Sequence, residues 1–244
     1  MRPRVVNAAN GGPFTLDGTR TFLVGRQDVA VIDPGPEMEH HLGALLSILE
    51  GARRVSILVT HWHDDHAGLA AALAAELGGL PVYGPGPLAS APLADGDRVE
   101  TDEGALLAVA TPGHARDHLA FHWPAAAAVF VGDLVLGQGD TTWVGEYPGC
   151  VAEYLASLDR LRELGAAVAY PSHGPPVREV GECLDRYESH RRARLAEVGR
   201  ILALRPEATP TELSAEIYPD VPVGLGGAAL SSIEAIVHHL RAPR

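Results

Sequence analysis

Short apolar runs alternate with helically spaced apolar positions over the first third of the chain. Residues 21–25 and 29–33 read as strands, the second closed by Pro34 and Gly35, while residues 37–50 carry apolar side chains at helical spacing and residues 55–60 form a third apolar run. From Ser56 to Thr60 the side chains are mostly apolar, as in a strand buried on both faces. Helical spacing resumes over 67–77 and stops at Gly78 and Gly79. Between 81 and 131 the helical period disappears. Pieces of strand character at 81–83, 98–101, 106–110, 119–123 and 129–131 are separated there by Gly, Pro and Asp, which predicts a largely antiparallel sheet. A helix over 151–164 and a strand over 167–170 complete an α/β pattern, best satisfied by two sheets face to face with helices outside them.

Beyond Pro175 and Pro176 the texture changes. Residues 181–204 form one long helical stretch, a second helix begins where Thr209 can cap, Pro210 can open the first turn and Glu212 can reach back, and a third runs over 228–240 after a glycine-rich turn. The expected division is a catalytic domain over 1–180 and a small helical domain over 181–244.

Composition narrows the function classes. The 244 residues are 46% hydrophobic and 20% charged, which excludes wholesale disorder. A formal net charge of -12 argues against a surface built mainly to wrap nucleic acid or an anionic membrane. Cys150 and Cys183 form no CxxC or Cys/His cluster, so reduced thiols are expected. The first ten residues lack the apolar core of a signal peptide and no run of about 18 apolar residues occurs, so a cytoplasmic protein without a membrane partner is expected.

The candidate chemistry starts at the end of the apolar run. Thr60 is followed by His61, Trp62, His63, Asp64, Asp65 and His66, placing three imidazoles beside carboxylates. Residues two apart in extended chain face the same way, so His61 and His63 can grip one ion from one side. Asp65 and His66 then turn toward a neighbouring position. His114 after Thr111-Pro112-Gly113, Asp133 after Gly132, and His173 after Ser172 each follow a short apolar run. Nitrogen and carboxylate donors without thiolate suit zinc, and iron and manganese accept the same set. Asp64 is expected in solvent and Trp62 beside the site. His40, His41, His118, His122, His190, His238 and His239 have no ligand spacing; they are assigned to surface, supporting shell or core, with His118 and His122 near enough to His114 for a pocket role.

These residues resemble the metallo-β-lactamase superfamily, whose pattern is HxHxDH, a lone His, an Asp after Gly and a last His. The resemblance spans residues 20–175 and implies an αββα four-layer sandwich. It implies that His61, His63 and His114 hold one metal, that Asp65, His66 and His173 hold a second, and that Asp133 bridges them. Asp33 matches a first motif in which an aspartate braces the metal-binding turn. Lactam-cleaving members commonly carry Cys where Asp133 stands, so another substrate is expected. The segment from Gly11 to Gly25 and the helical tail are similar to the narrower β-lactamase-like protein 2 type, which implies a winged-helix-like C-terminal domain; its animal members cleave single-stranded RNA. This chain departs from the pattern at Ser172, where Gly is common, and ends at Arg244 where a wing hairpin would ordinarily follow.

The expected function is a dinuclear-metal hydrolase, with two ions, zinc foremost, generating hydroxide near neutral pH while Asp65 and Asp133 position it. A small ester or thioester is favoured by the acidic charge. The alternatives are an endoribonuclease on single-stranded RNA, an iron-dependent oxidoreductase on the same fold, and a binding or regulatory module working through the tail. For RNA, the candidate contacts are Arg186, Arg191, Arg192, Arg194, Arg200 and Arg205 on the long helix; a solvated helix face is the plain reading of the same residues.

Overall fold

The computed structural model describes residues 1–222 and 224–242. Along the chain run β1 (Arg4–Asn7), β2 (Arg20–Val24), β3 (Asp28–Ile32), α1 (Glu39–Leu49), β4 (Arg54–Leu58), α2 (Asp64–Ala67), α3 (Ala70–Glu76), β5 (Val82–Gly84), β6 (Ala91–Pro92), β7 (Arg98–Val99), β8 (Leu106–Ala110), β9 (Leu119–Trp123), β10 (Ala128–Gly132), α4 (Cys150–Glu163), β11 (Val168–Pro171), α5 (Val180–Leu204), α6 (Pro210–Ile217) and α7 (Gly226–Arg241). One sheet has the order β1-β2-β3-β4-β5-β6 and the other β11-β10-β9-β8-β7.

Side-chain parity builds the layers. Phe22 and Val24 on β2, Ala30 and Ile32 on β3 and Leu58 on β4 meet Phe121, Trp123 and Phe130 of the second sheet. Their neighbours Leu23, Val29, Val31 and Ile57 point the other way, onto Leu45 of α1 and Leu73 of α3. On the far side, Val109, Ala120, Val129 and Val131 of the second sheet pack under Tyr154 and Leu158 of α4. The result is the expected helix-sheet-sheet-helix sandwich.

Three details differ from the sequence expectations. The strand near 81–83 belongs to the first sheet, parallel to β4, and leaves the antiparallel section to β7 through β10. Strands β1 and β6 carried no recognisable signal, being short and half exposed at sheet edges. The helix expected over 67–77 is split, with α2 beginning at Asp64 and α3 at Ala70. The break lies where Gly35 N–H donates to His66 O and Leu69 N–H donates to Gly35 O, each at 2.9 Å, so the loop after β3 captures the end of α2.

Three helices form the tail, and no strand follows β11 among the described residues. The expected start of α6 is a full capping box, with Thr209 and Glu212 satisfying each other's backbone N–H groups. Val198 of α5, Leu213 of α6 and Ile233 and Ile236 of α7 join the same buried cluster as Leu158 of α4. Because this cluster is shared, Leu158→Ala and Ile236→Ala should each cost about 2–5 kcal/mol and lower a single thermal transition. Two resolved transitions in calorimetry, only one of them sensitive to Ile236→Ala, would contradict the shared core.

Candidate metal centre

The site forms where β3, β4, β10 and β11 end on one edge of the sandwich. Asp33, the residue after β3, is fully buried with a left-handed φ of 50°. Its Oδ1 accepts from Thr60 N–H at 2.8 Å, while its Oδ2 accepts from Thr60 Oγ1 at 2.8 Å, Ser172 Oγ at 2.8 Å and His66 Nδ1 at 2.9 Å. Thr60 Oγ1 has given its only proton to Asp33, so it accepts from His61 Nδ1 at 3.0 Å. His114 Nδ1 donates to Trp143 O at 2.9 Å, and His173 Nδ1 lies 3.4 Å from Gly18 O. Four imidazoles are thus held by Nδ1, which turns Nε2 inward as the atom that could bind an ion. His63 is reversed. Its Nδ1 lies 3.0 Å from His61 Nε2 and 3.1 Å from His114 Nε2, while its Nε2 lies 3.6 Å from Glu146.

Asp133 stands between the two groups of donors. Its Oδ1 lies 3.5 Å from His66 Nε2 and 3.4 Å from His173 Nε2, and its Oδ2 lies 3.8 Å from His114 Nε2. Asp65 Oδ2 is 3.1 Å from His173 Nε2. Possible ligand atoms lie within 4.8 Å of one another in three sets: His61, His63 and His114; His61, His66 and Asp133; and Asp65, His66 and His173. All seven residues singled out from the sequence therefore converge. His66 Nε2, His173 Nε2 and Asp133 Oδ1 are buried without a hydrogen-bond partner. Buried polar atoms are normally satisfied, and these orphans fit divalent cations: His61, His63 and His114 around one, Asp65, His66 and His173 around another, with Asp133 shared.

Electrostatics divides the donors in the same way. Burial holds His61 well below the ordinary histidine range and His114 down at about 4, in the latter case against the pull of Asp133. Burial also pushes His66 and His173 downward, but the carboxylate of Asp133 outweighs it, lifting His66 well above its usual range and His173 to about 9. Asp133 is held well below the ordinary carboxylate range, its desolvation outweighed by His66 and His173.

Of the two histidines that sequence placed near enough to His114 for a pocket role, His118 packs against the cluster and His122 does not. His118 is buried with its ring 5.1 Å from that of His61 and its Nδ1 2.8 Å from Thr111 Oγ1. A Cβ at Gly132, where φ is 51°, would sit 2.5 Å from His118 Nε2, so the residue before Asp133 must be glycine. Closeness to His114 in sequence was the only available signal for His118. Asp64 is exposed at the cleft, and Trp62 donates its indole N–H to Pro85 O at 2.7 Å. His41 is buried against Thr21, His40 reaches Ala8 O, His190 lies 3.4 Å from Asp140, and His122, half-buried on β9, and His238 and His239 on α7 do not join the cluster.

The arginine helix requires a correction. Arg191 is buried, donates to Thr142 O at 3.0 Å and lies over the Tyr154 ring, so it presents no charge to a phosphate. Arg192 pairs with Glu188, Arg194 with Glu197 and Arg205 with Glu216. These pairings, with burial of Arg191, neutralise most of the apparent patch. What the tail does instead is hold the loop after β10. Arg191 grips Thr142, Trp143 Nε1 donates to Ser231 Oγ at 2.9 Å, and Gly145 lies so close to α7 that a Cβ would be 2.7 Å from Ser231. The carbonyl of Trp143 in that loop orients His114.

Residues 15–105 and 78–173 match the Metallo-beta-lactamase superfamily, and the chain belongs to it. It is 32% identical over 244 residues to the Beta-lactamase-like protein 2 homolog of Caenorhabditis elegans, covering 95% of this chain and 81% of that protein. It is 38% identical over 205 residues to Thioesterase pkgB of Emericella nidulans; the match covers 80% of this chain and 57% of that longer protein. A solved metallo-beta-lactamase family protein of Thermus thermophilus superposes with a TM-score of 0.77 at 25% identity, covering 98% of this chain and 93% of that one.

The carboxylate brace and the divided charges can each be tested. Asp33→Ala should weaken metal affinity by about 10 to 100-fold, the usual loss when a residue orienting ligands is removed; calorimetric metal titration giving the wild-type affinity would remove Asp33 from that role. The metal-free protein should be most heat-stable near pH 6.5, where an unfolded histidine titrates. Below it, the depressed His61 and His114 favour unfolding as pH falls toward about 4, and above it the raised His173 loses its stabilising proton as pH rises through about 9. A Tm that climbs steadily from pH 6.5 to 9 would contradict this charge arrangement.

Proposed function

We propose that the protein is a dinuclear-metal hydrolase, with zinc as the expected ion, acting on a small ester or thioester. The observation that carries this reading is the convergence of seven imidazole and carboxylate side chains, centred on Asp133, beneath an open cavity of about 750 Å³ that His63, Asp65, His114 and Asp133 line. When bound, a pair of divalent ions supplies Lewis acidity for a scissile carbonyl and lowers the pKa of water toward neutrality. Asp133, at the junction of both donor sets, holds the two halves in register. Asp65 is partly exposed toward the cavity, where its carboxylate can accept a proton from the attacking water. His63, Trp62 and Trp143 border the same space and confine the substrate.

A small substrate is favoured over RNA because no arginine lines the cavity among the described residues and Arg191 is enclosed behind Thr142. A polyanion would meet an acidic chain with no arginine on the cavity lining to extend binding beyond the metal centre and offset long-range repulsion. The fungal relative's name, a thioesterase, supports the thioester branch. Asp133→Ala should reduce hydrolysis of a thioester by about 1,000-fold or more, or about 4 kcal/mol of barrier, with an unchanged far-ultraviolet spectrum. Parallel assays on bis-nitrophenyl phosphate and single-stranded RNA decide the class: RNA cleavage that exceeds thioester hydrolysis, falls steeply with salt and disappears in Asp133→Ala would overturn the small-substrate reading.

A further inference from the structure

The cavity above the metal centre is walled on one side by the tail. Val221 and Leu225 lead into α7, and Ala228, Ala229 and Ser232 follow on its first turns, all facing the same space as Asp65 and Asp133. Leu136 and Phe14 extend the apolar lining, and Phe14 is itself 50% exposed. The two alanines leave room that a larger side chain would fill. At about 750 Å³ the space lies within the roughly 300–1,000 Å³ that accommodates a drug-sized ligand, so an acetyl group would leave most of it empty. The ionisable groups on the lining are His63, His114, Asp64, Asp65, Asp133 and Tyr218; no arginine joins them among the described residues. Arg194, behind the Tyr218 ring, is paired with Glu197, so an anionic group against this wall would find no free cation on the lining, whereas a hydrocarbon would cover Leu225 and the alanines.

The geometry points to α7, with Val221 and Leu225 ahead of it, as the acyl-recognition wall, selecting thioesters or esters whose acyl group is bulky, apolar and uncharged. The assignment rests on the hydrolase reading only in naming the occupant as an acyl group. The tail thereby acquires a chemical role. Trp143, which orients His114 through its carbonyl, also borders this cavity and is tied to α7 through Ser231, so the wall and the first donor set are held by one contact.

The test compares acetyl, octanoyl and succinyl thioesters of N-acetylcysteamine with the metal-loaded protein. Each buried methylene adds about fourfold to binding, and even partial burial predicts a kcat/KM for octanoyl at least about 100-fold above acetyl, with succinyl below octanoyl. Ala229→Trp should reduce the octanoyl-to-acetyl ratio at least tenfold, and Leu225→Ser should do the same if the tryptophan variant fails to fold. Binding is read separately, without turnover, from the ligand-dependent change in tryptophan fluorescence, to which Trp62 and Trp143 on the cavity lining contribute while the buried Trp123 gives a constant background. Octanoate should quench it at far lower concentration than acetate, and Ala229→Trp should weaken that binding. Equal kcat/KM for acetyl and octanoyl, or succinyl above octanoyl, overturns the apolar wall and leaves the hydrolase standing. Octanoate binding that Ala229→Trp weakens, with neither a thioester nor the matching octanoyl ester hydrolysed, upholds the wall and overturns the hydrolase.

Discussion

The loop that carries four of the seven converging side chains is anchored by one buried carboxylate that is not itself among them. Asp33 accepts four hydrogen bonds, two from Thr60 and one each from Ser172 and His66, and thereby ties together the ends of β3, β4 and β11. A buried charge is costly unless fully hydrogen-bonded, and its left-handed backbone adds strain of about 1–3 kcal/mol. The return is positional. Asp33 orients His66 directly and His61 through Thr60, so both turn Nε2 toward the same centre. Ser172 replaces the glycine common at this position in the superfamily with a hydroxyl that donates to Asp33, adding a donor where the usual residue has none.

The seven donors were legible because four lie within six positions and the others end short apolar runs, so chain-local patterns carry the signal. The two-sheet architecture was legible for a similar reason: residue parity on β2, β3 and β4 is visible before any partner is known. What sequence concealed was non-local. The membership of β5 in the first sheet is set by pairing with β4. The role of His118 comes from packing against His61 and Gly132. Arg191 looked like surface charge because a basic helix carries no mark of which arginine will be covered, and only the fold places Thr142 and Tyr154 around it.

The tail changes character accordingly. Read as charge, it resembled a phosphate-binding appendage; read as packing, it is a wall of the cleft and a brace on the loop that orients His114. A phosphate-binding tail would act through long-range attraction, whereas a packed wall acts through local geometry. The buried cluster common to α4, α5, α6 and α7 favours the second on physical grounds, since the same side chains that stabilise the sandwich also fix the cleft.

The central claim is that two divalent ions, sharing Asp133, occupy this centre. Elemental analysis of protein purified without added metal, repeated after equilibration with zinc, manganese and iron in turn, measures it directly. Two ions per chain are predicted, zinc foremost, with the content falling in the Asp133→Ala variant; one ion or none under every condition would contradict the shared centre.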